Sequence, residues 1–185
     1  MRLYKRGQLL TVLLLTLVFG GCGYYFPHIY DGPEKTVYMP QWKNRTNQLD
    51  LDTRIYHSLA RWFQKSPSIN LIRDRERADL ILAGEIVAID LPSISWDGNA
   101  ETKEVKVRLQ VRYVLKDLKN GTLLWEVPRE VWSEEYQLSD NTTSINEQEA
   151  VEQIIADLSE RIYLGTLERL RQEQRRKETE KSPGR

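Results

Sequence analysis

The sequence predicts an α+β fold, a two-layer sandwich in which two helices pack on a mixed sheet of about four strands, in the order β-α-β-β-β-α. Three observations lead to this prediction. Two segments place apolar residues at helical spacing, one segment alternates apolar and polar residues before an Asn-Gly turn, and one stretch is almost continuously apolar and branched. Because each helix carries a single apolar stripe, each covers only one neighbouring layer.

The first half of the chain supplies a strand and a helix. Thr36 to Met39 is a short β-rich run before a proline, which predicts the first strand. From about Asp50 to Lys65 apolar residues recur every three or four positions, which predicts the first helix. Pro67 ends that helix because it disfavours helical geometry in the residue before it. Ile69 to Ile72 fits a short extended piece.

The centre of the chain supplies the rest of the sheet. Ala78 to Ile89 is typical of a strand covered on both faces, in which Gly84 marks a bulge or a close approach. Leu91 to Thr102 contains proline, glycine and asparagine and is predicted as a loop. From Glu104 to Asp117 apolar residues alternate with mostly charged ones, so one face of this strand is predicted to be buried and the other wet.

A hairpin follows the alternating strand. Asn120 and Gly121 tolerate the positive φ of tight hairpin turns, so Leu123 to about Tyr136 is predicted to return antiparallel. Pro128 has no N–H to donate, which predicts a sheet edge or a bulge at this position.

The second helix is predicted to begin at a capping box formed by Ser144 and Glu147 and to end near Leu170. Residues 171–185 contain no apolar side chain, so this charged tail is predicted to be frayed or disordered. The single folded domain is therefore expected over residues 36–170.

The start of the chain has the order of a secretory signal peptide. Basic residues precede an apolar run from Leu9 to Phe19, and Gly20 and Gly21 lie directly before Cys22, the only cysteine. The run is shorter than the roughly 20 residues that a transmembrane helix needs. This arrangement resembles the lipobox of bacterial lipoproteins, although Phe19 stands where leucine is usual.

The lipobox resemblance implies that residues 1–21 are removed as a signal peptide and that Cys22 is the lipid attachment point. Residues 22–35 then form a lipidated tether. Gly23 is not acidic, which predicts sorting to the outer membrane, with the protein facing the periplasm. The alternative is an ordinary signal peptide cut elsewhere, which would leave a free thiol in an oxidising compartment.

Composition excludes several function classes. The chain has 27 basic and 27 acidic residues and the leader removes basic ones, so no global basic field exists for nucleic acid. One cysteine excludes a disulfide framework and a zinc knuckle. His28 and His57 lack metal-ligand spacing, and the sequence shows no paired carboxylates, phosphate loop or nucleophile pattern. We therefore predict no catalytic residue, no metal site and no cofactor.

Five short segments carry a resemblance to a known family. They are Gly21-Cys22-Gly23-Tyr24, residues 37–46 (VYMPQWKNRT), residues 78–86 (ADLILAGEI), the Asn120-Gly121 turn with Leu124-Trp125-Glu126, and residues 146–150 (NEQEA). Together they resemble the LptE family, the lipopolysaccharide-assembly lipoproteins of the outer membrane. The resemblance spans nearly the whole chain after the leader and contains no catalytic signature.

The resemblance implies a non-enzymatic protein that sits as a plug inside a large β-barrel, LptD, in the translocon that places lipopolysaccharide in the outer leaflet. The family is also implicated in binding lipopolysaccharide and in helping the barrel assemble. Its lipopolysaccharide contacts are associated with basic residues in the loop that here spans Ile94 to Thr102 and near the start of the second helix. This chain has no basic residue in that loop and has Thr143, Ser144 and Ile145 at the helix start.

Four basic residues follow the wet face of the alternating strand, and they are the candidate lipopolysaccharide-binding residues: Lys103, Lys106, Arg108 and Arg112. Fixed cations suit the phosphates of an anionic glycolipid. The alternative is that they only keep an exposed sheet face soluble. Trp96 lies in a polar loop, and because exposed tryptophan favours protein contact it is the candidate partner contact.

A second hypothesis remains open. Regulatory or secretion lipoproteins of the CsgG-like group, or activators of peptidoglycan synthases, have a similar order of strands and helices. Such a protein would form a ring or bind a soluble enzyme, so its size in detergent separates the two hypotheses.

Overall fold

A computed structural model describes residues 29–91, 93–96, 102–137 and 143–181, with the backbone alone at 93–96, 102–103 and 143–145. The strands are β1 (Lys35–Tyr38), β2 (Lys43–Asn44), β3 (Ile69–Ile72), β4 (Leu80–Asp90), β5 (Ser93–Trp96), β6 (Thr102–Asp117) and β7 (Leu123–Gln137). The helices are α1 (Leu51–Phe63) and α2 (Thr143–Lys181), and a short 3₁₀ turn at Arg75–Arg77 precedes β4. The predicted α+β class, with two helices on a mixed sheet, is confirmed, and the described strands outnumber the four expected.

The sheet is mixed because its two halves are connected differently. β1 runs parallel to β3 and β4, and β2 continues along the same edge of β4. β4, β6 and β7 are antiparallel neighbours, as the Asn-Gly hairpin predicts, and Gly121 has the positive φ of 69° that such a turn requires. Within the described ranges β7 pairs only with β6, so it lies at a sheet edge.

The loop predicted from Leu91 to Thr102 contains a strand, so that prediction is wrong in part. β5 pairs antiparallel with the first residues of β6, with Ser93 opposite Val105 and Trp96 opposite Thr102. The proline and glycine signals flank this strand instead of filling it. Its own residues, Ser-Ile-Ser-Trp, alternate in the way that strands do.

α2 continues to Lys181, so the predicted end near Leu170 and the predicted disorder of the tail are wrong for residues 171–181. Glu173 is buried, and Lys177 pairs with it at 2.6 Å one turn later. Gln174 donates to Glu178 at 3.1 Å in the same way. Polar pairs at this spacing stabilise a helix that has no apolar stripe.

A row of three aromatic side chains lies between the sheet and the helices. The ring centroids of Trp42 and Tyr113 are 6.1 Å apart, and those of Tyr113 and Trp125 are 5.0 Å apart. A Cβ placed on Gly84 would lie 2.3 Å from the Trp42 ring, and one on Gly165 would lie 2.3 Å from the Trp125 ring. Both glycines are therefore required by close approach, as predicted for Gly84.

Shifts of register interrupt the pairing of the strands near this row. The pairing of β4 with β6 shifts between Ile86 and Ala88, and the pairing of β6 with β7 shifts next to Pro128. Both predictions for Pro128 hold, because β7 is an edge strand and its ladder is interrupted at the proline.

Asp79 ties the start of β4 to β1. Its carboxylate accepts hydrogen bonds from the backbone N–H and the hydroxyl of Thr36, both at 2.8 Å, and it pairs with Lys119. Burial acts to raise the pKa of Asp79, but the hydrogen bonds from Lys119 and Thr36 outweigh it and lower that pKa to about 2. This carboxylate is therefore charged throughout the neutral range.

We expect Asp79→Asn to lower the free energy of unfolding at pH 7 by about 1 to 2 kcal/mol. Because the pKa of Asp79 is lower in the folded state, its stabilising effect is complete above its unfolded pKa and is lost as the pH falls through about 2. Urea denaturation at pH 7 and near pH 2 measures this difference. Asp90→Asn, at an exposed position on the same strand, is the matched control, and equal effects of the two variants would contradict the account.

Candidate functional site on the open face of the sheet

Within the described ranges both helices pack on one face of the sheet, and no described helix covers the other face. On β6 the odd-numbered side chains from Val105 to Leu115 are buried in one cluster with α1 and α2 residues such as Leu59 and Leu158. The even-numbered side chains from Lys106 to Lys116 point the opposite way and are exposed or half-buried. These residues and their cross-strand neighbours on β4 and β7 are called the open face below.

The predicted line of basic residues lies on this open face, but two of its members are paired. Lys106 forms an ion pair of 2.7 Å with Glu135 on β7. Arg112 donates from Nε to Glu85 at 2.7 Å. The backbone of Lys103 lies near the start of β6, and its side chain is outside the description. The line is therefore not a row of free cations.

Arg108, like Arg112, is an exposed member of the line. Its cross-strand neighbours are Asp90 on β4 and Ser133 on β7. No ion pair of Arg108 is found within the described part of the chain, and its side chain is exposed. Its guanidinium can offer a planar set of N–H donors to an anionic group.

Glu85 organises the centre of the open face, and the sequence analysis missed it. Its side chain is only 11% exposed, and both Arg112 and Arg45 form ion pairs with it. One carboxylate thus fixes two guanidinium groups from different elements, and both arginine side chains remain about half exposed. The sequence does indicate this residue, because Glu85 is the one charged residue in the apolar stretch from Leu80 to Ile89, and a charged residue in a buried strand needs a partner.

The other end of the open face is apolar. Tyr38 on β1 lies between Ile72 on β3 and Ile81 on β4 in the pairing register, and Val114 on β6 lies opposite Ala83. All of them are half-buried, with no helix above them. The open face therefore combines an apolar area with fixed arginines, which suits an amphiphilic, anionic ligand.

A groove of about 580 Å³ lies on the helix side, between α2 and the edge strand β7. Trp125 and Trp132 line this groove. The Glu130 carboxylate accepts a hydrogen bond of 2.7 Å from the Tyr113 hydroxyl and another of 2.9 Å from Arg161. Burial and the Glu130 carboxylate raise the pKa of Tyr113, so this phenol stays protonated. Among the described residues that line the groove, Glu130 is thus held by a phenol and a guanidinium.

Other predicted residues lie at or beyond the limits of the description. The backbone of Trp96 ends β5, and nothing is described of its side chain. Cys22 and His28 precede the described residues, and His57 is exposed on α1. Among the described residues no group of three or more metal-binding side chains comes together. In the same ranges no helix is long and apolar enough to cross a bilayer.

Comparison with known proteins gives a family. The model of the LptE family, described as lipopolysaccharide-assembly, matches residues 34–164. This chain belongs to the LptE family. The match runs from β1 to the middle of α2 and so contains the whole open face. It ends at residue 164, before the last part of α2.

Solved structures share the fold of this LptE-family chain at low sequence identity. A Xanthomonas campestris protein of family DUF330 has a TM-score of 0.56 at 13% identity, covering 80% of this chain and 98% of that one. An uncharacterized lipoprotein B from Nitrosomonas europaea has a TM-score of 0.54 at 14% identity, covering 77% and 89%. A search of curated proteins gave no match.

Proposed function

We propose that this chain is a non-enzymatic outer-membrane lipoprotein, acylated at Cys22, that serves as the plug subunit of a lipopolysaccharide translocon inside a large, LptD-like β-barrel. The observation that carries this proposal is the LptE-family match over residues 34–164. The lipobox-like sequence before Cys22 supports the anchor. The open face supports binding of lipopolysaccharide, because it places arginines held in position beside an apolar surface.

The open face is proposed as the lipopolysaccharide contact in this family member. The segments 94–102 and 143–145 carry no basic residue, so the cations must come from elsewhere in the chain. Arg108 and the two arginines held by Glu85 are on rigid strands or next to one, which keeps their donors in place for phosphate. Ile81 and Val114 then lie where acyl chains would pack.

We expect Arg108→Glu with Lys116→Glu to weaken binding of lipopolysaccharide to the purified acylated protein at least about tenfold, because charge-assisted hydrogen bonds contribute roughly 1.5 to 3 kcal/mol each. Co-precipitation of the protein with lipopolysaccharide micelles measures this binding. The control is Arg73→Glu with Arg75→Glu, which changes the net charge by the same amount but lies in the connection before β4. Unchanged binding in the first variant would mean that the cations only keep the face soluble.

Depletion of the protein in its own cell tests the function itself. Newly made lipopolysaccharide should fail to reach the cell surface, as measured by labelling of surface-exposed sugar in intact cells, and should accumulate inside the envelope. Normal surface labelling after depletion would overturn the proposal. If the purified protein formed a ring of its own copies in detergent, the CsgG-like hypothesis would replace it.

A further inference from the structure

The last part of α2 fixes the point where the tether leaves the folded domain. Arg171 donates to the backbone carbonyl of Ile29 at 2.6 Å. The next residue, Tyr30, is 1% exposed, and its N–H donates to the hydroxyl of Ser66 at 2.9 Å. That hydroxyl also lies 2.6 Å from the hydroxyl of Tyr163 on α2. The chain therefore leaves the domain at one defined place, beside residues 171–181.

The length of the tether limits how far this place can be from the membrane. Seven residue-to-residue steps lead from Cys22 to Ile29, so the span is at most about 25 Å at roughly 3.6 Å per step. Residues 171–181 extend only about 15 Å further along the helix axis at about 1.5 Å per residue. If Cys22 is acylated, Ile29 lies within about 25 Å of the lipid surface and the end of α2 within about 40 Å, so the last part of α2 can reach that surface.

The chemistry of this helix end suits an anionic surface. Residues 171–181 contain five basic and three acidic residues, and one of the acidic ones, Glu173, is buried and paired with Lys177. At about 100° per residue, Gln172, Arg175, Arg176 and Thr179 form one continuous side of α2. All four are exposed; Glu180 borders this side and lies 3.8 Å from Arg176 in an exposed ion pair, whereas no ion pair of Arg175 is found within the described residues.

The tip of the β6–β7 hairpin lies at the same end of the molecule. A small cavity of about 240 Å³ separates Leu123 and Leu124 from Gln172 and Arg176 on α2. Leu123 is 49% exposed and lies next to Arg176 in the lining of this cavity. An exposed apolar side chain among cations is a common arrangement for contact with a lipid headgroup layer.

We propose that residues 171–181 of α2, with the adjoining hairpin tip, bind the anionic phospholipid surface of the membrane that holds the acylated Cys22. This inference rests on the proposed acylation. The acyl chains hold the protein on the membrane, and the helix end sets its orientation by docking Arg175 and Arg176 on phosphates. Basic residues near such a surface are attracted to its phosphates, and salt screens this attraction.

A thiol label on α2 tests this contact. Cys22 is the only cysteine, so Thr179→Cys gives the acylated full chain a unique free thiol for a fluorophore. In vesicles with about 30% phosphatidylglycerol, quenching by headgroup-labelled lipid should rise about threefold over pure phosphatidylcholine, and high salt should abolish the rise. The matched control is the label at Gln153→Cys, which lies about 39 Å earlier on the same helix and should show no such rise.

Adding Arg175→Gln with Arg176→Gln should remove the rise, whereas Lys43→Gln with Arg61→Gln, at exposed positions away from this end, should leave it intact. Equal quenching in both vesicle types, or a rise that survives the arginine substitutions, would overturn the inference. Mass spectrometry of Cys22 separates this failure from failure of the proposed function. An unacylated Cys22 and loss of vesicle flotation would overturn the anchor, while flotation without helix contact would overturn only the docking.

Discussion

Cys22→Ala is expected to abolish acylation and to remove the protein from the outer-membrane fraction. One acyl chain gives only marginal binding and each buried methylene adds about 0.8 kcal/mol, so stable attachment depends on the several chains that a bacterial lipoprotein carries. The loss of attachment should therefore be large.

The measurement is fractionation with mass spectrometry of the processed amino terminus. Wild-type protein should begin at Cys22 with the added mass of its acyl groups, and Gly23→Ala should behave like wild type because it leaves the attachment point unchanged. If the wild-type terminus is unmodified or is cut elsewhere, the ordinary signal peptide becomes the correct interpretation. The lipid anchor would then be withdrawn, and with it the proposed docking of α2.

Trp42→Ala is expected to lower the free energy of unfolding by about 3 to 5 kcal/mol, because it removes a large ring from a buried site and leaves a cavity. Trp42 is 3% exposed and fills the space between Gly84 and the Tyr113 ring. Gly84→Ala should lower the free energy of unfolding by about 1 to 3 kcal/mol because it overfills the same site: its new Cβ would overlap the Trp42 indole.

A double-mutant cycle, measured by urea denaturation, distinguishes this packing from two independent losses. With Trp42 replaced by alanine, Gly84→Ala should cost much less than it does alone, because the overlapping ring is gone. Ser133→Ala, on the exposed side of β7, should change stability by no more than about 0.5 kcal/mol and serves as the control. Additive effects of the two core substitutions would contradict the described contact.

The parts of the fold that the sequence predicted are those encoded locally. β6 and the hairpin follow from strict alternation and an Asn-Gly turn, and α1 follows from the spacing of its apolar residues. β5 was missed because it depends on pairing with another strand, and the last part of α2 was missed because the polar pairs that stabilise it leave no apolar stripe. β5 exists by pairing with β6, and residues 171–181 are held by polar pairs and by the contact of Arg171 with Ile29.

The same distinction applies to the candidate site. Alternation alone placed Lys106, Arg108 and Arg112 on one face, and this is confirmed. The pairing of Lys106 with Glu135 depends on the register of β7, which is displaced near Pro128 and cannot be read from the turn alone. The contacts of Glu85 with Arg112 and Arg45 join three different segments of the chain, so they cannot be predicted from the local sequence pattern.

Affinity isolation of the tagged protein from detergent-solubilised membranes tests the central proposal most directly. A single large outer-membrane β-barrel protein should be isolated with it in a stable complex, and the complex should persist in high salt because a plug is enclosed by its barrel. Isolation of the protein alone, or only with further copies of itself, would contradict the proposal.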